Sequence, residues 1–195
     1  ACKKYTGIYK KDYEPYHALG PQVGVFDQRA AEELNHYVDA MGTDAIQMGG
    51  TVAWVMELIW KGLLDPIEFG LLSREEMNFD FAPHTQKGRG DASLLIGQVL
   101  GERGIAGFDL VADSHRNAAY ATRIVEMILF SEEGIIFRNG MRAAARELHR
   151  RSTTAVSHPS SAVSSAVYTA HGEHGNMVPN QYWVPGMFAP MPMMG

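Results

Sequence analysis

Between Ala45 and Trp60 the chain reads AIQMGGTVAWVMELIW, with Gln47, Thr51 and Glu57 the only polar side chains. A helix apolar on nearly every side has no face to give to water, so it must stand at the centre of the fold with other helices around it. Its longest apolar part, Val52 to Trp60, is interrupted by Glu57 and too short to span a bilayer. Asp44 stands where an N-cap belongs, and Gln47 completes a capping-box spacing. Lys61 and Gly62 close the helix. Gly49, Gly50 and Ala53 are small enough to let a neighbouring helix or a cofactor come close.

Upstream, Asp27 caps a helix reaching about Met41, with Ala30, Leu34, Tyr37, Val38 and Met41 on one stripe. Gly42 follows, where a left-handed C-terminal cap favours glycine. Further helices are expected at about 91–103, 112–130 and 138–151. Residues 1–24, with Gly7, Pro15, Gly20, Pro21 and Gly24, read as irregular loop, and Pro66, Pro83, Gly88 and Gly90 break up 63–90. The stretch from Ser152 to Ser165 contains Pro159 and reads as a long loop or linker. Period-2 strands are lacking; Gly134 to Phe137 would pair only weakly. The class is mainly α, a multi-helix fold without internal repeats.

Composition narrows the function classes. Hydrophobic residues make up 46% and charged residues 20%, as in soluble globular proteins. A formal charge of −5 offers no basic field for nucleic acid or an anionic membrane. Cys2 is the only cysteine, which excludes an internal disulfide. With no secretory signal pattern, a cytoplasmic protein is expected. The chain opens at Ala1 and closes on the apolar Pro190 to Gly195, and Met177, Met187, Met191, Met193 and Met194 crowd that end. Such an end reads as an adaptable surface meant to meet a part not present, or as a disordered tail.

Several runs resemble the tungsten aldehyde:ferredoxin oxidoreductase family. They are Glu14-Pro15 through Leu19-Gly20-Pro21, the helix pair around Asp39 to Gly50, and Ala53-Trp54-Val55-Met56-Glu57 with Lys61-Gly62. Ala1-Cys2-Lys3-Lys4-Tyr5-Thr6 resembles the end of that family's cluster-binding stretch, and Asn139-Gly140-Met141-Arg142-Ala143-Ala144 a later helix. The resemblance covers most of 1–62 and 134–195 and is thin between 70 and 130. It implies an internal fragment of the aldehyde ferredoxin oxidoreductase C-terminal type. Residues 1–151 would be the helical second domain, with the cluster and pterin-binding part, and 152–195 the truncated start of the third domain or a linker. The N-terminal β-rich pterin domain would be missing.

The resemblance also implies a set of site residues, each with a plainer reading beside it. Cys2 fits the third cysteine of a CxxCxxxC run that, with one distant cysteine, holds a [4Fe–4S] cluster; four thiolates are required, so Cys2 alone is a lone terminal thiol. Asp39-Ala40-Met41-Gly42-Thr43-Asp44 fits the family's DxxGxD pterin motif, with Thr43 where leucine is usual, and no second copy occurs. Ionised carboxylates accept the N–H donors of a pterin edge; otherwise Asp44 is an N-cap and Asp39 a solvated residue. Glu14 aligns with the glutamate that activates water beside the metal, or is an exposed loop carboxylate, with His17 as its neighbour. A histidine bonding the substrate carbonyl oxygen is expected after the Asn139 helix. The family's His-Asp-Pro-Arg context is absent; His171 is preferred to His174 and His149, and His158 reads as loop. Glu33 and His36, at i and i+3, project from one side of their helix. They would supply half of a structural metal ion site at a subunit interface, or form a surface ion pair.

The function implied is oxidation of aldehydes to carboxylic acids at a tungsten bis-pterin. Electrons would pass through the [4Fe–4S] cluster to ferredoxin or another electron carrier, in a homodimer. Val178-Pro179-Asn180-Gln181-Tyr182-Trp183 is closer to divergent branches that include the tungsten subunit of benzoyl-CoA reductases, which gives a second reading. A di-iron carboxylate bundle needs two ExxH pairs and further glutamates, and only Glu33-x-x-His36 occurs. A non-catalytic helical metal-binding or interaction module is the remaining alternative.

Overall fold

The computed structural model describes residues 4–6, 9–11, 13–60, 62–79, 104–105 and 107–154. Its elements in order are β1 (Lys4–Thr6), β2 (Tyr9–Lys11), α1 (Tyr13–Ala18), α2 (Gln28–Ala40), α3 (Ala45–Trp60), β3 (Gly104–Ile105), β4 (Phe108–Asp109), α4 (Ala112–Phe130), α5 (Ile135–Arg138) and α6 (Met141–Thr154). Single 3-10 turns at Pro21–Val23, Pro66–Phe69 and Arg74–Glu76 join them.

α3 is the central element its composition demands: Ala45 and every residue from Met48 to Ile59 are buried. Each large side chain withdrawn here, such as Trp54, Leu58 or Ile59, stabilises the fold by at most about 1.5–3 kcal/mol. The small residue Gly49 admits a helix. A Cβ built there would lie 2.6 Å from the Ala18 carbonyl oxygen, so α1 rests directly on the α3 backbone. Arg74 closes the other end of α3. Its guanidinium lies 5.0 Å over the Trp60 ring and its Nη1 donates to the Trp60 carbonyl at 2.9 Å.

Asp27 caps α2 as expected, its Oδ1 accepting from the amides of Arg29 and Ala30 at 2.9 and 3.0 Å. Ala30, Leu34 and Val38 are buried; Tyr37 is half-buried and Met41 exposed, because the helix ends at Ala40. Gly42 has φ +71°, the left-handed cap anticipated for it.

α4 spans the predicted 112–130 and packs on α2 and α3. Two of its buried residues are polar and tie distant loops together. Asn117 Nδ2 donates to the carbonyls of Gly24 (2.9 Å) and Asn78 (2.8 Å), while its Oδ1 accepts from Asn78 N at 2.9 Å. Ser114 Oγ accepts from the amides of Phe26 and Asp27 at 2.8 and 3.0 Å. One turn on from Asn117, the Tyr120 hydroxyl donates to the Leu72 carbonyl at 2.7 Å.

Three expectations need correcting. Within 1–24 the chain is not all loop: β1 and β2 pair antiparallel with Tyr5 opposite Lys10, and α1 follows. Pro15 lies in the first turn of α1, where a missing N–H costs nothing, so it marks a helix start rather than a loop. Ile135–Arg138 is a helical turn, not a weak strand. Arg138 reaches back from it to close α4, donating through Nε to Ile128 O and through Nη2 to Ser131 O at 2.8 Å. α6 therefore begins at Met141, after Gly140, and ends at Thr154 rather than at 151. The helix expected at 91–103 and the segment 155–195 lie outside the described residues. Among those described, no helix is long and apolar enough to cross a membrane.

Candidate functional site

The turn between α2 and α3 is built by three short-range choices. Gly42 supplies the left-handed residue that ends α2, and its amide donates to Asp39 O at 3.0 Å. Thr43 Oγ1 then donates to the Val38 carbonyl at 3.2 Å, satisfying one of the acceptors a helix end leaves over. Asp44 Oδ1 accepts from the amides of Ile46 and Gln47 at 3.0 and 2.9 Å, starting α3. The threonine that departs from the usual leucine thus has its own capping role.

The plain N-cap reading of Asp44 holds, and it leaves chemistry over. Both bonds go to Oδ1, and an ionised carboxylate has acceptor capacity on a second oxygen as well. Asp39 is exposed, and among the described residues no heavy atom beyond the immediate chain lies within 4 Å of the place a Cβ would take on Gly42. Two exposed carboxylates beside an open glycine turn suit the N–H edge of a pterin in acceptor chemistry. These residues would hold it.

Glu14 lies in the first turn of α1 and is half-buried, so it is a helix residue and not an exposed loop carboxylate. His17, one turn on, stacks on Tyr13 with ring centroids 6.1 Å apart, and burial lowers its pKa from the ordinary value. Burial thus favours the neutral imidazole. The Gly49–Ala18 contact brings this helix to the α3 that starts at Asp44.

Glu33 and His36 are both exposed on α2, and among the described residues no three His, Cys, Asp or Glu side chains group closely enough to hold a metal ion. His149 is half-buried on α6. Cys2, His158, His171 and His174 lie outside the described residues. Sequence reasoning missed Ser114 and Asn117, whose signal was available: two polar residues three apart on the buried stripe of 112–130.

Comparison with known proteins places the chain. It matches the family described as aldehyde ferredoxin oxidoreductase, domains 2 & 3, over residues 1–175, including the 70–130 stretch where the motifs are thin. It is 33% identical over 196 residues to glyceraldehyde-3-phosphate:ferredoxin oxidoreductase of Pyrococcus furiosus, covering 100% of this chain and 26% of that protein. An uncharacterized protein of Methanocaldococcus jannaschii is 32% identical over 202 residues, covering 100% of the chain and 28% of its own length. The tungsten-containing aldehyde ferredoxin oxidoreductase of Thermococcus kodakarensis is 44% identical over 59 residues, 30% of the chain and 10% of that protein. No solved structure matches. The chain spans 26% and 28% of the two relatives that cover it fully. A mainly helical fold and a match over residues 1–175 to the model of domains 2 & 3 make this chain a member of the aldehyde ferredoxin oxidoreductase family.

Proposed function

We propose that this chain is the helical part of a tungsten–pterin oxidoreductase that oxidises an aldehyde to a carboxylate and passes the two electrons to ferredoxin or another carrier. The observation that carries the reading is the exposed Asp39-x-x-Gly42-x-Asp44 turn, whose two carboxylates have no structural task beyond the Asp44 cap. Glyceraldehyde 3-phosphate is the first substrate to test, because a relative aligned with the whole chain is named for it.

When bound, the tungsten pterin would supply the redox chemistry. The chain's own residues would orient the cofactor and move protons. Asp39 and Asp44 would accept from pterin N–H groups through charge-assisted bonds. Glu14 would take the proton released as water oxygen adds to the aldehyde carbon, a role worth about 10²–10⁴-fold in rate. His171 would donate to the carbonyl oxygen as negative charge develops there. Cys2 would give one of the four thiolates of a [4Fe–4S] cluster. Glu33 and His36 would hold a structural metal with ligands from a second subunit. An N-terminal pterin domain would complete the enzyme, in the cytoplasm.

The test is ferredoxin reduction by the complete enzyme, with glyceraldehyde 3-phosphate and with unphosphorylated aldehydes, beside tungsten and iron content per chain. Aldehyde-dependent reduction with tungsten bound is the expected result. Iron without tungsten, or no reduction with any aldehyde, would reject it.

A further inference from the structure

The contact between Gly49 and Ala18 stands between the two groups of residues that the proposed function uses. An ideal Cβ at Gly49 would lie 2.6 Å from the Ala18 carbonyl oxygen and 2.7 Å from both its carbonyl carbon and its Cβ. Glu14 is four residues before Ala18 on α1, about 6 Å along the axis and on the same face, at 1.5 Å per residue. Asp44 is five residues before Gly49, about 7.5 Å along α3. This close contact, within the packing of α1 on α3 and α2, therefore helps to set how far the candidate base stands from the candidate pterin carboxylates. α1 has only six residues, so it moves as one body when that contact changes.

From this we infer that Gly49 is a positioning residue for Glu14, holding α1 at the one depth on α3 from which its carboxylate serves the site. The inference rests on the role proposed above for Glu14. A methyl group at position 49 needs ordinary contact of at least 3.4 Å where 2.6 Å is present, so α1 must withdraw by the difference, 3.4 − 2.6, about 0.8 Å. A displacement of about 1 Å in a reacting group costs on the order of 10²-fold in turnover.

The experiment uses Gly49→Ala in the complete enzyme, with Glu14→Gln beside it. In Gly49→Ala, kcat should fall by about 10²-fold, with KM and tungsten per chain unchanged, because an interaction made only in the transition state is lost. In the metal-free protein, histidine NMR titration reports α1 directly: burial lowers the pKa of His17, and withdrawal of the helix should return it toward the ordinary value of 6.5. Wild-type turnover overturns the inference. So does turnover that falls only in step with tungsten content, or a His17 titration that does not move. If Gly49→Ala yields no folded protein, Ala18→Gly loosens the same contact without a clash, and the same two readouts decide. Wild-type turnover in Glu14→Gln would instead remove the reading of Glu14 itself, whereas low turnover there beside a wild-type Gly49→Ala would remove the Gly49 inference alone.

Discussion

Two polar clusters in this molecule use nearly the same chemistry to opposite ends. Around α4, Ser114, Asn117 and Tyr120 are buried, and their polar atoms are bonded to backbone groups brought in from positions 24–27, 72 and 78. At the α2–α3 turn, Asp39 and Asp44 are exposed, and only Asp44 has structural work, as a cap. Burial makes an unmade bond expensive, so the α4 cluster is saturated. Exposure makes it cheap, so the turn can keep acceptors in reserve for a ligand. Substitutions at the two places should therefore separate stability from cofactor retention.

The largest stability effect is expected at Asn117. Asn117→Ala removes three hydrogen bonds and leaves the carbonyls of Gly24 and Asn78 and the amide of Asn78 without it. A buried group that loses its partner, as the Gly24 carbonyl would, costs about 1–3 kcal/mol, and each hydrogen bond to half-buried Asn78 is worth about 0.5–1.5 kcal/mol; the costs are not additive, so a total loss of about 3 kcal/mol is expected by denaturant unfolding. Tungsten per folded chain should stay at the wild-type level. A loss of tungsten greater than the loss of folded protein would break the contrast.

Tyr120 gives the next effect, and it depends on pH. Burial, followed by the charges of Glu75 and Glu76, pushes its pKa from 10.0 up to about 12. A group whose folded pKa lies above its unfolded value contributes stability that is complete below the unfolded value and is lost as pH rises through the folded one. The hydroxyl also keeps the Leu72 carbonyl paired. Tyr120→Phe should cost about 1 kcal/mol at neutral pH. The gap between wild type and variant should then narrow between pH 10 and 12. A gap independent of pH across that window would show that the hydroxyl ionises as freely folded as unfolded.

The same contrast explains what could be read in the sequence. α3 was legible because sixteen residues of almost unbroken apolar character allow one location. Asp27, Gly42 and Asp44 were legible because caps are local, decided within a turn by residue type. The short α1 was not, since six residues around a proline carry no periodicity. The α4 network and the Gly49–Ala18 seat were not either: Asn117 meets Gly24 across 93 positions of chain. No local pattern encodes such a partner. The DxxGxD turn was visible as a motif; the structure adds that it is open and that Thr43 closes α2 with its own hydroxyl.

The smallest effect on stability, and the sharpest on the cofactor, is expected at the turn itself. Asparagine caps a helix about as well as aspartate, and in Asp44→Asn the side-chain amide keeps an oxygen for the backbone N–H groups of Ile46 and Gln47. That substitution should thus leave the melting temperature of the metal-free protein nearly unchanged. Exposed Asp39 should tolerate Asn within about 0.5 kcal/mol. Toward a pterin the arithmetic differs. The amide offers one acceptor oxygen where the carboxylate offered two, places an unwanted donor against ring N–H groups, and loses the charge that strengthens the bond. That loss is worth roughly 1–3 kcal/mol of cofactor binding, or about one to two decades of affinity. Tungsten content per chain should therefore drop in either variant while apoprotein melting stays put. Full tungsten content in both would reduce Asp39-x-x-Gly42-x-Asp44 to a capped helix turn, and the two clusters would then differ only in depth.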